Sequence, residues 1–136
     1  MPFIDFSAFN GSKIDKPFER EIKFLLSPDI DPSVKDFTFL LSTLAPHGGC
    51  TDYHTHADAG EIMIFMSGKG KAWLDGVEHD LKPGAAMYAP PGTIHKTMNT
   101  GSEPLQIACV FVPAISTDYI RQNIEAAQTK KGAADE

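Results

Sequence analysis

Cysteine is nearly absent: Cys50 and Cys109 are the only two in 136 residues. Two cannot make a disulfide framework, and a single distant pair points to reduced thiols and a cytoplasmic setting. Basic residues are also short, with 12 Lys and Arg against 18 Asp and Glu, for a net charge of −6. That balance argues against a nucleic-acid partner or an anionic membrane surface. The longest apolar runs, Ile62 to Met66 and Ile107 to Val112, fall far short of the ~20 residues that span a bilayer. The opening Met1-Pro2-Phe3-Ile4-Asp5 lacks the basic and apolar regions of a signal peptide. A soluble, cytoplasmic protein is expected.

What is present is turn chemistry and short apolar runs. The chain suits a single domain, 1–136, able to bury one core. Eleven glycines and ten prolines punctuate runs that read as strands: Ile22 to Leu26, Phe37 to Leu44, Thr51 to His56, Glu61 to Met66, Lys71 to Asp75, Ala85 to Ala89, Ile94 to Asn99 and Leu105 to Val112. Asp75-Gly76, between Trp73-Leu74 and Val77 to Leu81, is the best hairpin signal. Residues 1–20 carry Phe3, Phe6, Phe9 and Phe18 without a strand or helix period and read as an irregular arm. Residues 21–113 then form a β-barrel. Over 114–129, Ser116 or Thr117 caps a helix with apolar residues at three-and-four spacing, and 130–136 is a frayed tail. Many strands, one terminal helix and no βα alternation indicate an all-β sandwich or barrel.

The Glu61–Met66 strand is apolar on both faces except for its one acid: Glu61, Met63 and Phe65 on one side, Ile62, Ile64 and Met66 on the other. An outward stripe of this kind, with Ile22, Phe24 and Leu26 as a similar set nearby, calls for a cover. A homodimer is expected, with the arm as the other candidate.

Chemistry concentrates in three histidines and one glutamate. His54 and His56 stand two apart on a strand, so both imidazoles share a face. Ala57 to Gly60 makes a short turn, and Glu61 opens the return strand. His95 follows Pro90-Pro91-Gly92 at the head of a later strand that a closing barrel brings across. Three imidazole nitrogens and a carboxylate form a donor set for one divalent transition metal, with Fe, Mn, Ni and Zn not distinguished.

The spacing also carries a resemblance. The first segment reads Gly48, five residues, His54-Thr55-His56, four residues, Glu61, six residues, Gly68. The second reads Gly84, five residues, Pro90-Pro91-Gly92, two residues, His95, three residues, Asn99. Together they resemble, without a mismatch, the two motifs of the cupin superfamily, separated by a fifteen-residue spacer. The resemblance implies a cupin-type jelly-roll β-barrel (a double-stranded β-helix) holding one metal through His54, His56, Glu61 and His95.

Same-face spacing then suggests the pocket. Met63 and Phe65 follow Glu61, and Thr97 follows His95. The last strand offers Ile107, Cys109 and Phe111, or the alternate set Gln106, Ala108 and Val110; Met87 is counted with the pocket, and Tyr88 and Trp73 are further candidates, though none of these three has an assignable face. Glu61 and His47 are the candidate proton carriers. Arg20 is expected in the arm and Arg121 in the terminal helix, neither on the strands around the metal. Oxalate-decarboxylating and sugar-phosphate-isomerising cupins resemble one another in needing a cation there, so those classes lose weight.

The leading reading is a metal-dependent enzyme acting on a small, mostly apolar organic substrate by dioxygenase-type oxidative cleavage. Metal-assisted isomerase, cyclase or lyase chemistry through an enolate is the runner-up. A non-catalytic small-molecule-binding barrel is the third.

Overall fold

The computed structural model describes residues 2–122. Nine strands form two sheets: β1 Ser12–Ile14, β2 Arg20–Leu26, β3 Thr38–Leu44, β4 Gly60–Ser67, β5 Gly70–Leu74, β6 Val77–Leu81, β7 Ala86–Ala89, β8 His95–Asn99 and β9 Leu105–Val112. Six run in the order β1-β2-β3-β9-β4-β7, and three in the order β6-β5-β8. All pairings are antiparallel. The inward faces meet in one core that includes Leu44, Phe65, Ala72, Leu105 and Ile107.

Alternation decides which residues enter that core. On β4, Glu61, Met63 and Phe65 are buried, whereas Ile62, Ile64 and Met66 are about two-fifths exposed. On β9, Ile107, Cys109 and Phe111 point inward, which selects between the two sets left open by sequence. The β5–β6 hairpin turns at Asp75 (φ +50°) and Gly76 (φ +81°), both left-handed as a two-residue primed turn requires.

Three details differ from the sequence expectation. The arm is not irregular throughout, because β1 pairs with β2 and adds an edge strand, while Phe6 packs edge-on against Phe39. Ile22 faces the interior at 5% exposure, so it forms no outward stripe with Phe24 and Leu26. A β-bulge between Phe24 and Leu26 breaks the alternation there. The run Thr51 to His56 is not a regular strand. It touches β8 through isolated bridges, Cys50 with Met98 and His54 with His95. Four residue steps on one side thus oppose three on the other, and the extra residue interrupts the ladder.

At the C-terminal side, the Ser116 hydroxyl accepts the Tyr119 N–H at 3.0 Å, and residues 117–122 are helical. The expected continuation over 123–129, and the tail at 130–136, lie outside the described residues. Ile120 from this helix is buried against the core.

Asn99 ends β8 and ties three chain segments together. Its amide donates to Leu44 O (3.0 Å) and Glu103 O (2.7 Å), and its Oδ1 accepts from Gly101 N (2.9 Å). Asn99→Ala leaves these buried groups unpaired and is expected to lower stability by roughly 2–4 kcal/mol. Chemical denaturation measures that loss, and an unchanged midpoint refutes the role. The exposed Ile62, Ile64 and Met66 face carries the homodimer expectation: light scattering should show Ile64→Glu shifting a dimer to monomer, and a monomeric wild-type protein excludes it.

Candidate metal centre

Three different parts of the chain deliver four side chains to one place. Glu61 comes from the start of β4 and His95 from the start of β8. His54 and His56 come from the segment ahead of β4. His54 is pinned by reciprocal backbone hydrogen bonds with His95 at 3.0 and 2.9 Å. The His56 carbonyl accepts the N–H of Gly92 at 2.9 Å. Gly92 sits at φ +81°, a left-handed turn conformation that costs glycine little.

One donor atom from each residue lies within 4.8 Å of all the others. His95 Nε2 is 3.1 Å and His56 Nε2 3.3 Å from Glu61 Oε1. The His54 and His95 rings stand 4.1 Å apart, centre to centre, and His56 meets Phe111 edge-on at 4.9 Å. His56, Glu61 and His95 are each under a tenth exposed.

The hydrogen bonds fix the tautomers. His54 Nδ1 donates to Asp52 O at 2.8 Å and His95 Nδ1 to Thr93 O at 3.0 Å. A carbonyl only accepts, so each neutral ring carries its proton on Nδ1 and turns the lone pair of Nε2 inward. His95 Nε2 and the Glu61 carboxylate are then two acceptors at contact, which repel unless a cation lies between them. Neither ring nitrogen of His56 has a hydrogen bond among the described residues, although both are buried. Inward lone pairs, a buried carboxylate and an orphaned imidazole fit a metal ion.

The electrostatics prepare the same donors. Burial pushes His54 down to about 4, and the neighbouring His95 adds to that effect, so the ring is neutral at physiological pH. Burial alone raises the Glu61 carboxyl, but the adjoining His56 and His95 reverse it, and the group stays ionised. For His95, burial acts downward, while the Glu61 contact and charge outweigh it and raise the ring. Without a metal, the proton between this pair is the available cation.

The cluster faces a cavity of about 100 Å³. Met63, Thr97, Ile107, Cys109 and Phe111 line it. Phe65 and Met87 do not; both are buried in the core. His47 is exposed in a turn whose N–H bonds Gly101 O, near the Asn99 end of β8, and the fold does not bring it to the cavity. Tyr88 faces outward at 54% exposure, and Lys96 lies over the rings of Tyr53 and Trp73, away from His95. Burial, with the Glu61 charge behind it, pushes the Cys109 thiol well up, which leaves it a neutral wall group.

Other lining residues were missed by the sequence reading, chiefly Arg20 and Asp52. The expectation that no arginine approaches the metal ligands is corrected here. β2 begins at Arg20, two residues earlier than its apolar run suggests, and Arg20 alternates inward with Ile22 into the cavity. Extending the period of two backward from Ile22 is the signal that would have found it.

A two-sheet jelly roll with three imidazoles and a carboxylate converging in its interior defines a β-barrel whose donor set fits a metal ion. The cupin-domain family model matches residues 40–111, and the chain belongs to the cupin family. It is 37% identical over 95 residues to an uncharacterised protein of Methanocaldococcus jannaschii, covering 70% of this chain and 74% of that one. It is 30% identical over 129 residues to a glucose-6-phosphate isomerase of Thermococcus onnurineus, covering 86% and 67% respectively. Among solved structures, a predicted oxalate decarboxylase of Thermotoga maritima shares the fold with a TM-score of 0.74 and 24% identity, over 82% of this chain and 99% of that one.

The donor assignment has a direct test. His56→Ala and His95→Ala should each cut bound divalent transition metal steeply while circular dichroism stays native, because the core is apolar and lies largely outside the cluster. Full metal content in both variants refutes the assignment.

Proposed function

We propose that this chain is a mononuclear metal-dependent enzyme whose small organic substrate presents an oxygen to the His54, His56, Glu61 and His95 cluster. The observation that carries this reading is the position of the cluster: its inward lone pairs meet a cavity, not a sealed core. A metal that only staples a fold is closed off by protein ligands, whereas a catalytic one borders open space. When bound, a divalent transition metal supplies Lewis acidity toward a substrate carbonyl or hydroxyl oxygen.

The chain's own groups supply the rest. Met63, Ile107 and Phe111 exclude water and strengthen polar interactions within the cavity. Glu61 contributes a ligand oxygen. Asp52 brings a carboxylate from outside the donor set, one oxygen of which accepts the Tyr53 N–H at 2.8 Å. Its position beside the cavity suits it to take a proton from a carbon next to a carbonyl. This favours isomerase, cyclase or lyase chemistry, and the similarity to a glucose-6-phosphate isomerase supports the same direction. Oxidative cleavage by dioxygen is the second reading, favoured by the apolar lining.

Metal-loaded protein incubated with a panel of hydroxyketones, diketones and catechols separates the two. Anaerobic incorporation of solvent deuterium next to the carbonyl is the expected result, lost in Asp52→Asn at unchanged metal content. Oxygen uptake without such exchange favours the second reading. Neither signal across the panel leaves a binding barrel.

A further inference from the structure

Among the described residues Arg20 has no acidic side chain within 4.0 Å, and it lines the cavity that the His54, His56, Glu61 and His95 cluster faces. Its Nη1 donates to Phe18 O at 3.0 Å and to Cys50 O at 3.1 Å. Both partners are main-chain carbonyls, which orient the guanidinium without forming an ion pair with it. Among the described residues, Nε and Nη2 make no hydrogen bond and Arg20 makes no ion pair within 4.0 Å. Asp52 acts on it only as a more distant charge. Burial pushes the guanidinium down to about 10, so it remains charged at neutral pH. A half-buried, oriented cation with no ion-pair partner at contact is a ready site for an anion.

The shape and size of the site narrow the anion. A guanidinium offers parallel N–H donors that match the two oxygens of a carboxylate. A cavity of about 100 Å³ is well below the roughly 300 Å³ at which drug-sized sites begin, so only a small molecule fits. Thr51, Thr97 and Ser42 add a few neutral polar groups to walls that are otherwise mainly apolar. We propose that Arg20 is the anchor for the carboxylate of a small organic acid, whose other oxygen-bearing end lies toward the His54, His56, Glu61 and His95 cluster. Arg20 is thereby a specificity-determining residue, selecting acids over their neutral analogues.

The inference rests on the reading of the cluster as a substrate-binding metal site, yet it is tested by binding alone, without turnover. The probes are pyruvate and its uncharged methyl ester, titrated calorimetrically into metal-loaded protein and into protein stripped by chelation. Wild-type protein should bind the acid at least tenfold more tightly than the ester in both forms. Arg20→Met should abolish that preference while metal content, measured separately, is unchanged. Arg20→Lys, which keeps the charge but not the fork, should retain part of it and serves if the methionine variant does not fold. Equal binding of acid and ester by the wild-type protein overturns the proposal. So does a preference that vanishes on chelation or survives in Arg20→Met, since the metal would then be the anion's partner. Loss of metal binding in wild-type protein would sink the catalytic reading while leaving the chelated arm to judge Arg20.

Discussion

The contact between Glu61 and two imidazoles is the constraint around which the rest of the structure is arranged. A carboxylate oxygen 3.1 and 3.3 Å from two ring nitrogens, with all three side chains buried, is unfavourable without positive charge among them. The backbone commits to that arrangement in advance. Asp52 O and Thr93 O each accept a hydrogen bond from the Nδ1–H of a histidine, so the remaining lone pairs have no direction but inward. The protein therefore stores a cation requirement in its hydrogen-bond pattern, and the turn at Gly92 and the bridge between His54 and His95 keep it from relaxing.

Fold and function are divided between the ends of a single strand. β8 begins with His95 in the cluster and ends with Asn99, whose three hydrogen bonds hold the loop past Leu44 and the turn at Gly101. Four residue steps of strand separate them by about 13 Å. Groups near Asn99, His47 among them, serve architecture, and groups near His95 face the cavity. Thr97 between them faces inward as well, and lines the same cavity.

Much of this was legible in the sequence because it depends on period and spacing. Alternation along β4 and β8 put Glu61, Met63, His95 and Thr97 on inward faces, and the glycine–proline punctuation placed the turns. The motif spacing gave the cupin resemblance that the family match now shows. What escaped depends on contacts distant in sequence. Nothing local reveals that β1 completes a sheet edge, that Phe65 and Met87 sit in the core away from the cavity, or that one extra residue breaks the ladder between Cys50 and His54. Arg20 was misplaced for a simpler reason: a charged residue at the start of an apolar run looks like the end of a strand, when it is the first inward position of β2.

The inward position of Arg20 changes the chemistry that the site can support. Without Arg20 the cavity would be an apolar pocket beside the donor cluster, suited to neutral ligands. With Arg20, charge is distributed across it: the carboxylates Glu61 and Asp52, the inward nitrogens, and a guanidinium fixed by two carbonyls. Opposed polar groups separated by apolar walls hold a bifunctional ligand in one orientation, because each end is matched at only one place. Preorganisation of this kind, paid for when the protein folds, is what lets a small cavity discriminate among molecules of similar size. The same β2 strand that contributes Ile22 to the wall supplies the cation, so an apolar wall group and the proposed anion anchor are adjacent inward positions of one strand.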